Sequence, residues 1–415
     1  MESIQITNIE VNKNRVDINF NVSAGIEKYF LPKHHFFTEY TFDVSSIPES
    51  ILVIPLLLNL LPFSWITNSV IWVNEIDKDF YNCIQPLKTA FRELHPNMHL
   101  KGTLISAKTV NNFREIKKEA LQLFTGGVDA TATMIRIIDK NPILFNTNGW
   151  YFNEPTETND VYDADVTAIS KISDTLSIEA QFVKSNFARF IIASNVDKDF
   201  CRNNGTTWWF GFQHSMAFLG CAMVAGYAFG VETVYIASSY TFGQYIVCVS
   251  DPRIDNCIRC AGINTIHDGY ELSRQDKVKI IVDYHNTSKC DMLLRVCSFN
   301  TKNCCECEKC FRSMLALIAE GADDLSEFGF YFEGEFINIL KNFIEKSAME
   351  LDKNHIVFWN DIIKKMGENY DCLSHKEVYD FLSSVDLEKA RKQSVKNHYK
   401  NDWKDIIKRK ISMKN

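Results

Sequence analysis

The sequence predicts an α/β protein: a doubly wound parallel sheet with a cysteine-rich metal subdomain, an N-terminal α+β region and a C-terminal helical region. Three observations predict it. Strand-like and helix-like runs alternate from about Glu115, a Gly-Gly turn separates the first of these strands from its helix, and six cysteines crowd between Cys290 and Cys310. Strand–helix alternation implies a parallel sheet covered on both faces, with ligands beyond the carboxyl ends of its strands. A chain of 415 residues exceeds one ordinary core. Divisions are expected at 1–114, 115–321 (with the metal subdomain at 290–321) and 322–415.

Each element has its own signal. Ser3–Glu10 and Arg15–Val22 alternate like strands around the turn Asn12-Lys13-Asn14, and Phe37–Phe42 reads as a third strand. Asp77–Glu93 carries apolar residues at helical spacing. Leu121–Phe124 is a short apolar strand, followed after the glycines by a helix, Ala130–Asp139. Ile143–Asn146 and Asp163–Asp174 repeat the unit, and a third strand is expected before Asn186. A long helix, His214–Phe229, leads through Gly230 into the strand Thr233–Ala237. Arg274 and Lys277 fall on one helical face, and Phe311–Glu320 continues as a helix after the last clustered cysteine. Glu335–Glu350 and Asn354–Met366 are amphipathic.

Composition narrows the function classes. With 46% hydrophobic residues the chain can bury a large core without disulfide staples, and a net charge of −7 argues against a general nucleic-acid binder. The start, MESIQITNIEVNKN, shows no basic region followed by an apolar run, so no signal peptide is expected. Ile51–Val73 lacks charge but contains Pro55, Asn59, Pro62 and Asn68, which predicts a buried helix and then a buried strand rather than a membrane span. Thirteen cysteines with a dense local cluster read as metal binding in a reducing compartment, and the expected location is the cytoplasm.

The glycine turn is Thr125-Gly126-Gly127-Val128-Asp129-Ala130-Thr131. Glycines let the backbone approach an anion, and the helix that follows presents free N–H groups and the positive end of its dipole. Thr125 and Thr131 offer hydroxyls to phosphate oxygens, and Asp129 offers a carboxylate to Mg²⁺. The plain structural alternative is a strand-to-helix hinge.

In the cysteine cluster, Cys304, Cys307 and Cys310 form two overlapping C-x-x-C steps, and Cys297 lies seven residues earlier. Four thiolates at such spacings suit Zn²⁺. An iron–sulfur cluster uses the same ligand set, and free core cysteines or a redox dithiol are the plainer readings. Cys305 is an adjacent thiol, and spacing does not decide between it and Cys304.

These two motifs together carry a resemblance. The turn resembles the Ser-Gly-Gly-x-Asp-Ser signature of the PP-loop ATP pyrophosphatases, with Thr125 at the first serine position and Ala130 at the second. The cysteines resemble the zinc site of the 7-cyano-7-deazaguanine synthase branch of that family, in which the cluster also follows the ATP domain and a glycine usually stands where Cys305 does. Phe210–Ser239 is similar to the late helix and strand of those enzymes, so the resemblance covers roughly Lys117–Gly321. It implies that the loop grips the pyrophosphate of ATP. A substrate oxygen then attacks the α-phosphate, pyrophosphate leaves, and a nucleophile displaces AMP. ATP, Mg²⁺ and Zn²⁺ are the implied cofactors. Some enlarged relatives lie in anti-phage defence operons and others beside polysaccharide or secondary-metabolite genes.

Other residues fall at strand ends. Asn148-Gly149-Trp150 is placed for the adenine or ribose, and Ser238-Ser239-Tyr240 for substrate contacts. Asn186, Arg189 and His214 are further candidates, each with a packing alternative. His267-Asp268-Gly269 precedes the helix of Arg274 and Lys277, which would stabilise charge as pyrophosphate leaves. Lys389–Asn415 holds ten Lys or Arg against Asp402 and Asp405, either a solvated helix end or a docking surface for an acidic partner or nucleic acid. Two rivals stand beside an adenylating enzyme acting on an acid or amide: a nucleotide-binding scaffold without turnover, which Ala130 favours, and an enzyme modifying a partner protein or peptide.

Overall fold

A computed structural model describes residues 1–244, 246–297 and 300–396. The chain forms two compact units, Met1–Arg274 and Gln275–Asn415.

The first unit is built on one ten-stranded sheet. Its strands are β1 (Ser3–Asn12), β2 (Arg15–Val22), β3 (His35–Tyr40), β4 (Val70–Asp77), β5 (Thr103–Val110), β6 (Lys118–Leu123), β7 (Ile143–Asn148), β8 (Ala180–Ser185), β9 (Val231–Ala237) and β10 (Asn264–Asp268). They lie in the order β10-β9-β6-β7-β8-β3-β2-β1-β4-β5. The five strands from β6 to β10 are mutually parallel. A second parallel set, β1, β4 and β5, occupies the other end. Antiparallel pairs β8–β3, β3–β2 and β2–β1 join the two sets. At the β3–β8 seam Glu39 faces Lys184 in register, and the two side chains pair at 3.2 Å.

The helices of this unit include α1 (Ile54–Thr67), α2 (Lys78–Leu94), α3 (Val128–Arg136), α4 (Asp160–Leu176) and α5 (His214–Phe229). α3, α4 and α5 are the crossovers among β6, β7, β8 and β9. α4 starts where it does because Asn159 accepts from the N–H groups of Val161 and Tyr162. α1 and β4 are the helix and strand expected from the uncharged stretch. α1 is apolar around its whole circumference and buried, so it belongs to the core. It packs on α5, where a Cβ at Gly220 would meet Pro55 Cα at 2.9 Å. No helix among the described residues is long and apolar enough to cross a membrane.

Boundaries shift from expectation by a few residues. The third strand starts at His35, and α3 ends at Arg136 because Ile137 leaves helical geometry ahead of a 3₁₀ turn and the left-handed Asn141. β5 and β10 carry no clear periodic signal, since one is largely exposed and the other is five residues long.

α6 (Arg274–Ser288) opens on the last residue of the first unit. In the second unit the helices are α7 (Glu308–Ala319), α8 (Phe336–Lys346), α9 (Lys353–Glu368) and α10 (Lys376–Ser383), and residues 387–396 are also helical. The expected helix Glu335–Glu350 is α8 followed by a 3₁₀ turn. α7 and α9 pack together: Trp359 is buried, stacks on Phe343 at 5.7 Å and donates to Glu308 Oε1 at 3.1 Å. Most of the basic segment Lys389–Asn415, from residue 397 onward, lies outside the described residues.

Candidate functional site

The glycine turn follows β6, the middle strand of the parallel set β8-β7-β6-β9-β10. The chain runs outward from β6 through β7 to β8, then returns to β9 on the other side of β6. β6 and β9 therefore flank the point where strand order reverses, the crevice where open α/β sheets bind ligands. Phe124 stays in register, its N–H donating to Phe145 O at 2.9 Å, while Asn146 Nδ2 donates to Phe124 O. The turn then opens. Gly126 has φ +74°, a left-handed angle that side chains rarely adopt, and Gly127 caps α3 without a side-chain partner. A Cβ at Gly127 would meet nothing closer than Thr125 Oγ1 at 3.4 Å, so the space above this residue is open. The first-turn N–H groups of α3 have no intrahelical acceptor and face the same way.

The turn side chains divide. Thr125 is exposed, Val128 is buried, and Thr131 is buried with its hydroxyl lacking a hydrogen-bond partner among the described residues. Ala130 is also buried, and its carbonyl accepts from Gln122 Nε2 at 2.6 Å. Asp129 Oδ2 lies 2.7 Å from Arg274 Nη1, both side chains about one-fifth exposed. The structure thus brings together two residues 145 apart in sequence.

The carboxyl ends of β9 and β10 close in beside α3. Ser238 donates its N–H to Asp268 O at 2.8 Å and its hydroxyl to Tyr240 O at 2.6 Å. Asp268 accepts from Thr133 Oγ1 at 2.7 Å and pairs with Arg136 at 3.2 Å, and Arg136 also reaches Glu271 at 2.7 Å. Thr133 and Arg136 hold no motif, but with Asp129 they repeat at i, i+4 and i+7, one stripe of α3. Asn148 ends β7, is buried, and accepts from Trp150 N–H at 3.3 Å.

Other residues have structural occupations. Asn186 accepts from Phe37 N–H at 3.0 Å and donates to His35 O at 2.9 Å, so it staples β3 to the end of β8, and Arg189 is exposed. His214 sits against Trp209 at 5.2 Å and Phe218 at 5.0 Å, with Trp150 packed on both partners. Burial pushes its pKa down to about 4, so the imidazole is neutral near pH 7 and brings no charge to a phosphate. His267 is buried against Asp255 at 2.7 Å, and burial raises that carboxyl above the usual range. Lys277 lies one turn beyond Arg274 on α6 and is buried in the second unit.

The second unit holds the cysteine site. The Sγ atoms of Cys297, Cys304, Cys307 and Cys310 all lie within 4.8 Å of one another, and Cys304 and Cys310 are 3.9 Å apart. A tetrahedral Zn²⁺ with bonds of ~2.3 Å needs sulfur separations of about 3.8 Å, so the set fits a metal such as zinc. Asn303 shapes the loop: its Oδ1 accepts from the N–H groups of Val296 and Cys297, and its Nδ2 donates to Leu294 O and Gly329 O. Asn300 Nδ2 reaches Cys297 Sγ at 3.3 Å, the outer contact expected around a thiolate ligand. Hydrogen bonding from Cys310 draws the Cys307 thiol down to about 5, and the same contact pushes Cys310 up.

The structure separates the adjacent thiols. Cys305 lies outside the four-sulfur set, and its Sγ is 3.8 Å from Asn303 O. Its φ is +54°, the conformation that a glycine supplies freely between two ligand cysteines.

No family model and no curated protein matches this sequence.

Proposed function

We propose that the chain is an ATP-dependent adenylating enzyme of PP-loop type, related to the 7-cyano-7-deazaguanine synthases, with a structural zinc on its four cysteines. The observation that carries the reading is the place of the open glycine turn, after the central parallel strand and where strand order reverses. A site there suits the β- and γ-phosphates of ATP: the N–H groups of Gly126 and Gly127 and the first turn of α3 supply donors, and Thr125 and Thr131 supply hydroxyls. Asp129 is the residue that would hold Mg²⁺, which would supply positive charge to offset that of the phosphates. Asn148 and Ser238 border the crevice on either side, toward nucleoside and substrate.

In this reading an acid or amide oxygen of the substrate attacks the α-phosphate and its bond to the pyrophosphate oxygen breaks. The pyrophosphate takes the electron pair, and the adenylated oxygen leaves with AMP when a nucleophile adds. Arg274, released from Asp129, is the cation of the first unit that would meet the departing pyrophosphate. The zinc takes no part in this chemistry and holds the loop before α7. A thiolate cluster of this kind fits a reducing compartment such as the cytoplasm. The substrate class extends to a partner protein or peptide.

A second reading, a nucleotide-binding scaffold without turnover, draws on Ala130, which leaves no hydroxyl where the family has a serine. Pyrophosphate release in the presence of ATP, Mg²⁺ and a panel of carboxylic acids, amides and peptides separates the two. Release that needs Asp129 supports the enzyme. Tight ATP binding with no release across the panel supports the scaffold. Failure to bind ATP removes both.

A further inference from the structure

The second unit holds a cleft of about 650 Å³ beside the cysteine loop, within the roughly 300–1,000 Å³ of ligand pockets. Glu306 of that loop, Phe311 of α7, Tyr331, Glu333 and Phe343 of α8 line it. The floor is apolar: Phe311 and Phe343 are buried with ring centroids 4.6 Å apart, and half-buried Ile339 adds to it. Tyr331 stands 66% exposed, and tyrosine is a residue type enriched where proteins meet.

The charge around this floor has one sign. Glu306 and Glu333 are exposed, and neither forms an ion pair among the described residues. Among those residues no Lys, Arg or His lines the cleft. Cys304 does line it, and four thiolates around a divalent ion keep a net negative charge, the sign of the rim. That sign repels nucleic acid and an anionic membrane surface. On α8, Asn338 and Asn342 stand one turn apart, both exposed and both lining the cleft. A side-chain amide donates and accepts, which matches the N–H and C=O groups of a peptide backbone.

We propose that this cleft docks a partner polypeptide through a short basic segment in which Lys or Arg flanks an apolar side chain. The apolar side chain meets the Phe311–Phe343 floor, the cations face Glu306 and Glu333, and Asn338 and Asn342 hold the peptide backbone. A polypeptide is also among the substrates the nucleotide reading admits, but this inference does not rest on that reading.

Binding of the full-length protein to immobilised peptides tests it. One set alternates Lys or Arg with Leu, Phe and Trp, and a second set carries Glu at each basic position. The basic set should bind, and high salt should weaken it, because the rim charges lie at the surface. Glu333→Lys should weaken that binding by roughly tenfold. Glu306→Lys with Glu333→Lys should turn the preference toward the acidic set, a gain that unfolding would not give. Ile339→Asp should weaken binding while elemental analysis finds the metal content unchanged. Equal binding of both sets, or basic binding untouched by Glu333→Lys and Ile339→Asp, overturns the proposal. Self-association that Ile339→Asp abolishes also overturns it, because the occupant would then be a second copy. So does amide exchange across Tyr331–Ser347 that is slow in the free monomer and fast in Glu333→Lys, because the chain would then fill its own cleft.

Discussion

Arg274 Nη1 sits 2.7 Å from Asp129 Oδ2, so the carboxylate best placed for a cation already holds one. A partly buried pair of this kind is worth only about 1 kcal/mol, small beside the binding of a nucleotide with its metal. Asp129→Asn should therefore lower the melting temperature little, yet weaken Mg²⁺-dependent ATP binding by about tenfold or more. Arg274→Ala should raise affinity for Mg²⁺–ATP and slow pyrophosphate release, a split that calorimetry and a release assay read separately. If both variants bind ATP as the parent does, the nucleotide reading fails.

The two turn glycines should respond differently. Gly126 carries a positive φ, so Gly126→Ala should cost about 1 kcal/mol of stability. Gly127→Val places its side chain in open space, and it should unfold like the parent while losing ATP. Denaturant titration and equilibrium dialysis on the two variants check this.

The metal site makes a sharper contrast. The purified protein should hold about one Zn²⁺ per chain, and Cys304→Ser or Cys307→Ser should lose it with a lower melting temperature. Cys305→Gly should keep the metal and relieve a left-handed residue, a gain of up to about 1 kcal/mol. Elemental analysis settles it; iron, or metal loss in Cys305→Gly alone, would refute the assignment.

His214 gives a pH prediction. Its folded pKa of about 4 lies below the ordinary 6.5, so the unfolded chain binds more protons between these values. The stability it confers is complete above pH 6.5 and falls as pH drops toward 4, by roughly 2–3 kcal/mol. His214→Phe should flatten that part of the profile in denaturant titrations. An unchanged slope would mean the ring is hydrated.

What the sequence reveals is local. The Phe124–Asp129 turn and the cysteine spacing are contiguous strings whose chemistry depends on neighbours in sequence. The Asp129–Arg274 pair and the Asp268 contacts with Thr133 and Arg136 depend on crossovers that bring the ends of β6, β9 and β10 together, and no local pattern encodes them. β5 hides for another reason: with Thr103, Ile105 and Ala107 all exposed, burial does not impose alternation. Likewise, nothing local says that β1 to β5 extend the sheet of β6 to β10; the Glu39–Lys184 register does that at long range.

That antiparallel seam sets the polarity of the whole sheet. Crossing from β8 through β3, β2 and β1 reverses direction three times, so β1, β4 and β5 point opposite to β6–β10. The glycine turn and the junction of β4 with α2 at Asp77 therefore lie on opposite rims. Asp77 ends β4, and its carboxylate accepts from Ala261 N–H, just ahead of β10, which marks that rim as the amino-terminal side of the other array. The crevice after β6 and the Asp77 end of β4 are therefore opposite edges of one continuous sheet.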